Sequence, residues 1–202
     1  MTPPGTFERV YGAIRERLRN GLYRPGSRLE PAVLSEELNA SVTPVRDALH
    51  RLTGERLVEA PRHEGFRVPL ITETDLRHLY SWHRDLLGIA LIDHSLAPRP
   101  LDERDEDPSE LERQNGLFFT IARLTGNPEH LLALESLADR LEPAQRLEAG
   151  LLDAVEEETE EIAAALKEGD RKRLRRALVH YHRRRARIVP ELLDRLYHHS
   201  PQ

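Results

Sequence analysis

Apolar side chains recur three and four positions apart between residues 31 and 54, the spacing of two short amphipathic helices. The second helix carries an apolar stripe made of Val45, Ala48, Leu49 and Leu52. Thr43 is its predicted N-cap, Pro44 its predicted first residue and Gly54 its predicted C-cap. A three- or four-residue turn, 39–42, separates it from the first helix, 31–38. This is the pattern of a helix-turn-helix, whose second helix enters a DNA major groove.

The flanking residues predict one more helix and a β-hairpin. An apolar stripe precedes the unit and predicts a helix that ends by Gly21; it comprises Phe7, Val10, Tyr11, Ile14 and Leu18. Residues 57–60 and 66–68 read as two short strands joined by a turn, 61–65, which together form a wing. At the tip, Arg62 and His63 can reach a minor groove or a phosphate, or can remain a solvated turn.

The second half of the chain shows only helical patterns. Thr72 and Asp75 form a predicted capping box that opens a helix reaching about residue 96. Further helices are expected at 110–125, 128–141 and 146–167, and a last one from 170 that kinks or restarts at Pro190. We therefore expect a mainly α protein. Residues 1–70, hereafter the head, form a winged helix-turn-helix with a small β-wing; residues 71–202, hereafter the bundle, form an antiparallel helical bundle.

Charge is divided unevenly between these two parts. The formal net charge is −5, but the head holds eleven arginines against nine acids, whereas the bundle holds nineteen basic residues against twenty-six acids. A weakly basic head can still dock on phosphates if its arginines cluster. Cysteine is absent, and we find neither a signal-peptide pattern nor an apolar run long enough for a membrane span. We expect a cytoplasmic protein that does not bind membranes.

Four segments of the head resemble the N-terminal winged helix of the GntR family of bacterial transcription regulators. They are LRNGLYRPGSRL (18–29), SVTPVRDALHRL (41–52), ERLV (55–58) and HEGFRV (63–68). Three segments of the bundle resemble the effector domain of the FadR branch of that family, namely 71–87, 123–127 and 160–170. The resemblance implies DNA binding, a small-molecule effector and a homodimer.

The resemblance also implies which residues of the head contact DNA. They are Ser41, Thr43, Arg46 and the wing glycine Gly65. Arg46 is the strongest candidate, because the guanidinium fork matches O6 and N7 of guanine; the alternative is a salt bridge with a nearby acid. The outer face of the recognition helix adds Arg51, and the wing adds Arg62 and His63. Two arginines usual in the family are replaced here by Ala32 and Val42, which predicts weaker binding or an altered operator.

Many members of the branch hold a metal ion with one Asp and three His in the bundle. The matching positions here are Gln114, Phe118, Thr159 and Tyr181. None of these is a good ligand, so we expect no metal and no other cofactor. A one-residue shift of the last helix would bring His180 or His182 inward instead.

The same four positions define a predicted effector pocket that is smaller and more apolar. Gln114, Thr159 and Tyr181 would offer hydrogen bonds beside Phe118, although a neighbouring helix can equally satisfy Gln114. Arg84 matches an arginine that lines the effector cavity in relatives; the alternative is an ion pair between helices. The inward positions of the basic run 171–187 are expected to be apolar, and its basic residues to pair with the acids of 156–161 rather than to bind DNA.

These features together predict a dimeric transcription regulator that binds a double-stranded operator and responds to a small effector such as an organic acid. We expect a repressor. The alternative is a dimeric DNA-binding protein whose helical domain is a degenerate sensor without a ligand. An enzyme is not expected, because the sequence shows no pattern of a nucleophile–base pair, a phosphate-binding loop or a metal cluster.

Overall fold

The computed structural model describes residues 5–92 and 109–198. In the head, the elements are α1 (Thr6–Arg19), β1 (Arg28–Leu29), α2 (Pro31–Glu37), α3 (Val42–Gly54) and β2 (Phe66–Arg67). In the bundle, they are α4 (Glu73–Ala90), α5 (Glu110–Arg123), α6 (Pro128–Glu148), α7 (Val155–Glu168) and α8 (Arg171–His198). The predicted fold class is confirmed. Most of the loop expected at 97–109 lies outside the described residues.

Two hydrophobic clusters lie on either side of residue 70. The cluster in the head joins the stripes of α1 and α3 to the apolar side of α2, through residues such as Ile14, Leu34 and Leu49. The cluster in the bundle is built from α4 to α8 and includes Leu87, Ile121 and Leu178. Each helix therefore buries the face that its apolar spacing marks, as expected for amphipathic helices around a core.

The wing is paired with an additional strand near the start of the chain. β2 pairs antiparallel with β1, with Leu29 opposite Phe66. Glu59 bridges to the other side of Arg67 through two backbone hydrogen bonds of 2.8 and 2.9 Å. The predicted hairpin is thus confirmed, although its first strand is reduced to this single bridge. The strand β1 escaped prediction because two residues are too few to show an alternating pattern.

Two predicted helix ends of α3 are wrong by one or two residues. The N-cap is Ser41 rather than Thr43, and helix α3 begins at Val42. Pro44 therefore lies within the first turn, where its missing N–H costs nothing because those donors lack intrahelical partners anyway. At the other end Gly54 is the last helical residue, and the left-handed conformation falls on Arg56, with φ of 62°.

The predicted break between residues 141 and 146 is also wrong, because α6 runs through Pro143 to Glu148. Ala144, Gln145 and Glu148 are all buried and continue the inward face beyond the proline. This packing outweighs the hydrogen bond that a proline removes from a helix. The chain turns instead at 149–154, where Ala154 adopts a left-handed φ of 49°. Likewise, α8 continues through Pro190 without restarting.

The predicted capping box at the start of the bundle is confirmed. Thr72 Oγ1 accepts a hydrogen bond from the backbone N–H of Asp75 at 3.1 Å, and the Asp75 carboxylate accepts from the N–H of Thr72 at 2.9 Å. This reciprocal pair satisfies two donors at the N-terminus of α4. It fixes the point at which the chain leaves the head and enters the bundle.

Candidate nucleic-acid interface

The recognition helix α3 has one face in the core and the other in solvent. Val45, Ala48, Leu49 and Leu52 are fully buried, as predicted. Ser41, Thr43, Arg46 and His50 are exposed on the remaining surface. The short α2 and the turn at Asn39, with φ of 47°, hold α3 across the end of the head. The polar side of α3 is thus presented outward along its length.

Arg46 borders a groove between α3 and the wing. The groove has a volume of about 450 Å³, and its walls include Pro31 at the start of α2 and Pro61 and Gly65 of the wing. Within the described residues the Arg46 guanidinium has neither an ion pair nor a hydrogen bond. The alternative prediction, a salt bridge with a neighbouring acid, is therefore not realised there. Arg46 is free to donate its fork to an acceptor placed in the groove.

The wing is held against α3 by an aromatic contact. The imidazole of His50 meets the ring of Phe66 edge to face, with centroids 4.9 Å apart. At the tip, Arg62 and His63 are exposed. Gly65 adopts φ of 77°, a left-handed conformation that favours glycine. Pro61 and Gly65, on either side of the tip, line the same groove as Arg46, whereas Arg62 and His63 do not line it.

Arg51 lies on a different side of α3 from Arg46. Its guanidinium carbon is 4.1 Å from the centroid of the Tyr11 ring, and its Nε donates to Glu55 at 3.2 Å. Tyr11 in turn donates to Glu55 at 2.8 Å. Arg51 thereby joins α3 to α1, and this arrangement does not favour the predicted DNA contact.

The arginines of α1 are also engaged within the protein. Arg15 pairs with Asp139 of α6 at 2.6 Å, and Arg19 donates from Nε to Glu142 of α6 at 2.6 Å. Burial raises the pKa of Asp139, while hydrogen bonding and charge from Arg15 and the charge of Arg19 oppose that rise. These pairs connect the head to the bundle, which sequence spacing alone does not reveal.

Four of the five residues predicted for the effector pocket lie together in the bundle core. Gln114 Nε2 donates to Thr159 Oγ1 at 3.0 Å, so a neighbouring helix satisfies this amide. Phe118 meets Tyr181 edge to face, with centroids 5.1 Å apart. All four side chains are buried. Arg84 does not join them: its side chain is 54% exposed and pairs with Asp85 at 2.9 Å on its own helix.

Two histidines that were not predicted to pair form a short hydrogen-bonded chain beside this cluster. His182 Nδ1 donates to the carbonyl of Leu178 at 2.7 Å, which leaves Nε2 as the acceptor for His83 Nδ1 at 2.9 Å. Burial lowers the pKa of His83 well below its ordinary value and lowers that of His182 to about 4. Both rings are therefore neutral near pH 7. Of the two candidates flanking Tyr181, His182 faces inward and His180 is exposed.

The largest fully buried side chain is that of Arg185, on the basic run of α8. Its Nε donates to Glu148 at 2.8 Å, and Nη1 contacts Glu158 of α7. Tyr80 donates to the other oxygen of Glu148 at 2.6 Å. Acidic partners for the run were predicted correctly, including Glu161 with Arg173 at 2.6 Å. The prediction that every inward position of the run is apolar is wrong at Arg185.

Three buried polar atoms in this network have no hydrogen-bond partner within the described part of the chain. They are Nη2 of Arg185, Oε1 of Gln145 and Oε1 of Glu158, the last of which lies 3.4 Å from Nη1 of Arg184. Gln145 uses its amide nitrogen to donate to Tyr181 Oη at 3.3 Å. Native interiors seldom leave such atoms without a partner. They mark the place in the bundle where a bound molecule would gain hydrogen bonds.

Residues 5–92 and 109–198 contain no group of three or more His, Asp or Glu side chains that could hold a metal ion. Over the same residues, no helix is long and apolar enough to cross a membrane.

Residues 6–68 match the family profile described as bacterial regulatory proteins, gntR family. The chain is 31% identical over 99 residues to the HTH-type transcriptional regulator McbR of Escherichia coli K12, covering 48% of this chain and 45% of McbR. It is 26% identical over 107 residues to YdhC, an HTH-type transcriptional regulator of Bacillus subtilis 168, covering 52% of this chain and 44% of YdhC. The matched segments thus span less than half of these two relatives.

The fold is shared with solved structures over nearly the whole chain. A GntR transcriptional regulator from Rhodococcus sp. RHA1 superposes with a TM-score of 0.73 at 20% identity, covering 92% of this chain and 97% of that one. The E. coli McbR/YncC structure gives a TM-score of 0.68 at 23% identity, covering 93% and 98%. The winged helix, its exposed recognition face and these matches agree. Residues 6–68 of this chain are therefore a DNA-binding domain of the GntR family of bacterial regulatory proteins.

Proposed function

We propose that this protein is a dimeric transcription regulator of the FadR branch that binds a specific operator and represses transcription until an effector binds the bundle. The observation that carries the proposal is the free guanidinium of Arg46 on the outer face of α3, at the groove shared with the wing. In a winged helix this face enters the major groove. Arg46 would donate two hydrogen bonds to a guanine, and Ser41 and Thr43 would contact the adjoining backbone.

A second copy of the chain is the partner that such a small head requires. One head contributes few contacts, so two linked heads on a pseudo-palindromic operator gain affinity through effective concentration. The bundle offers an apolar surface for pairing, because Ile89 in the last turn of α4 is 46% exposed and Ile92, just after the helix, is 55% exposed. Exposed aliphatic side chains in contiguous patches are typical of interaction sites.

An effector in the bundle would lie beside Tyr181, where Arg185 Nη2 and Gln145 Oε1 lack partners. A small polar molecule, an organic acid in the first instance, would complete this network. The buried side chains of Gln145, Tyr181 and Arg185 are hereafter the polar core. Binding of the effector there would shift α4 and α8, and the shift would change the spacing of the two heads. The absence of a metal cofactor belongs to the same proposal, with Phe118 filling the place of an imidazole.

One observation favours the alternative, a degenerate sensor that only holds the dimer together. Gln114 and Thr159 satisfy each other at 3.0 Å, and Phe118 packs on both His83 and Tyr181. In this arrangement the predicted pocket is filled by its own side chains. A ligand would then have to displace these contacts, at a cost in binding free energy.

The DNA-binding proposal is tested by selecting duplexes from a randomised library with the purified full chain. We expect enrichment of an inverted repeat, and an affinity that falls as salt rises because phosphate contacts release counterions. Recovery of no common sequence after repeated rounds would reject operator recognition. A thermal-shift screen of organic acids then separates sensor from scaffold: a sensor gives stabilisation coupled to a change in operator affinity, whereas a scaffold gives neither.

A further inference from the structure

A cleft lies between the head and the bundle, away from the buried Arg185 and Tyr181. It has a volume of about 740 Å³, within the range of small-molecule sites. Much of its wall is apolar, with Leu18, Leu57 and Val58 contributed by the head and Leu79, Ala144 and Leu196 by the bundle. Both parts of the chain are needed to form it, and the ion pairs of Arg15 and Arg19 with α6 hold them together.

Two arginines that line this cleft form no ion pair with the described acids. Arg56, just after α3, and Arg140, on α6, line the cleft and also an adjoining cavity of about 200 Å³ that contains Trp82. Within the described residues, neither guanidinium forms an ion pair or a hydrogen bond. Burial lowers the pKa of Arg140, the charge of Arg56 lowers it further, and Asp75 opposes the change. The positive charges of Arg56 and Arg140 thus repel each other at a site that is partly shielded from solvent. A bound anion would reduce this repulsion.

The acids around the cleft are already engaged elsewhere. Glu59 pairs with Arg67 at 2.9 Å. Asp75 accepts the two capping hydrogen bonds from Thr72. Asp139 is held by Arg15 at 2.6 Å. The cleft therefore combines apolar walls with two arginines whose charge Asp75 offsets only in part, whereas in the bundle core the charge of Arg185 is already met by two glutamates.

We propose that this cleft binds an amphipathic carboxylate, with its acid group between Arg56 and Arg140 and its hydrocarbon chain along the apolar walls. Arginine recognises a carboxylate through paired N–H donors, and burial of each methylene adds favourable transfer free energy. The site lies outside the polar core and goes beyond the effector site proposed there. By touching both sides, the ligand holds the head against the bundle.

The cleft also borders the C-terminal end of the recognition helix. Thr53 lies in the last turn of α3, and Arg56 lies two residues beyond the end of that helix. A ligand that fixes these residues would fix the orientation of α3 with respect to the bundle. This effect on DNA rests on the proposed function, but binding to the cleft does not, so the two are measured separately.

The test uses the fluorescence of Trp82, which is the single tryptophan of the chain. The full-length protein, without DNA, is titrated with decanoate below its micelle concentration, and binding heat is measured in parallel by calorimetry. We expect saturable binding that changes Trp82 emission. Arg56→Gln and Arg140→Gln should each weaken binding about tenfold or more, because each removes a hydrogen bond to a charged group. Decanol, which lacks the charge, should bind at least tenfold more weakly than decanoate.

Two further variants keep the result interpretable. Arg175→Gln removes an exposed arginine of α8 that lies outside the cleft, and it should bind like the unaltered protein. Leu70→Asp introduces a negative charge at a residue that lines the cleft and is 55% exposed, so it should weaken decanoate binding without unfolding the chain. Circular dichroism checks the fold of every variant. Absence of binding, equal binding of decanol, or unchanged binding by the Arg56→Gln/Arg140→Gln double variant would each overturn the proposal.

Discussion

Arg15 of α1 and Asp139 of α6 form an ion pair in which Nη2 lies 2.6 Å from Oδ2, and this pair joins the head to the bundle. The Asp139 side chain is 10% exposed, whereas that of Arg15 is 34% exposed, so solvent screens part of the attraction. Arg19 contacts the same carboxylate and also Glu142. The relative position of the two parts thus depends on a small set of charges at one contact.

Replacing Asp139 by Ala should lower the free energy of unfolding by about 1–3 kcal/mol, because Arg15 and Arg19 lose a partly buried partner. Urea denaturation of the single and double variants with Arg15→Ala gives the coupling energy, for which we expect about 0.5–1 kcal/mol. The matched control is Arg17→Ala, which removes an exposed pair with Glu37 inside the head. A coupling of zero would show that this contact does not hold the two parts together.

The His83–His182 pair predicts that the protein loses stability in mild acid. Both folded pKa values lie below the unfolded value, so the unfolded chain binds more protons as pH falls from about 6.5 towards 4. The stability contributed by the neutral pair is complete above about pH 6.5 and declines below it, by at most about 1.4 kcal/mol per pH unit for each histidine. Denaturant midpoints measured across this window give the slope.

Glutamine at both positions is the control for this prediction. The variant His83→Gln/His182→Gln keeps polar side chains but removes both protonation sites, so its stability should vary less between pH 6.5 and 4. Arg185 and Tyr181 remain in the variant, so their contributions to the pH dependence of stability are the same in both proteins and cancel in the comparison. Equal slopes in the two proteins would mean that the acid sensitivity arises elsewhere.

The exposed isoleucines at the C-terminal end of α4, Ile89 and Ile92, predict the dimer surface. The full chain should be a dimer at tens of micromolar in light scattering, and Ile89→Lys should shift it to a monomer, because a charge would be buried against its counterpart. Ile89 is 46% exposed, so the monomer should remain folded. Leu22→Lys alters a comparably exposed side chain of the head, at 44%, and should leave the dimer intact. A monomeric unaltered protein would remove the basis for two-headed DNA binding.

Metal removal should have no effect on this protein. The four positions matched to the metal site of relatives hold an amide, a benzene ring, a hydroxyl and a phenol, and Gln114 and Thr159 bond to each other. A chelator should therefore change neither the melting temperature nor the operator affinity. Elemental analysis that finds about one zinc, nickel or manganese ion per chain would contradict this, and His182 with His83 would then be the first residues to replace.

The sequence was sufficient to predict local structure wherever one helix face carried the signal. The stripe of α3, the Thr72–Asp75 box and the wing follow from spacing and residue type within a few positions. The run through Pro143 was missed, because its buried contacts come from other helices and outweigh a local rule. The candidate site follows the same rule. Arg46 could be predicted from the sequence because it occupies a fixed position in a local motif.

Polar partners that lie far apart in the chain, by contrast, could not be predicted from the sequence. His83 and His182 are 99 positions apart, and Arg185 and Glu148 are 37 apart. The spacing of α8 places Arg185 on the inward face, four positions after Tyr181, but it does not show which acids will pair with a charge there. Whether a charged residue can occupy a core depends on the partner that the fold brings to it.

The central claim is that α3 reads base sequence through Arg46, and one pair of binding measurements tests it. Arg46→Ala is compared with the unaltered chain on the selected operator and on a random duplex, at one fixed salt concentration. Arg51→Ala serves as the control from the same helix, since Arg51 stacks on Tyr11 at 4.1 Å and pairs with Glu55. We expect Arg46→Ala to cost about 1–3 kcal/mol on the operator and distinctly less on the random duplex, with Arg51→Ala nearly neutral on both. Equal losses on the two duplexes would show that Arg46 only neutralises phosphate, and would contradict the claim.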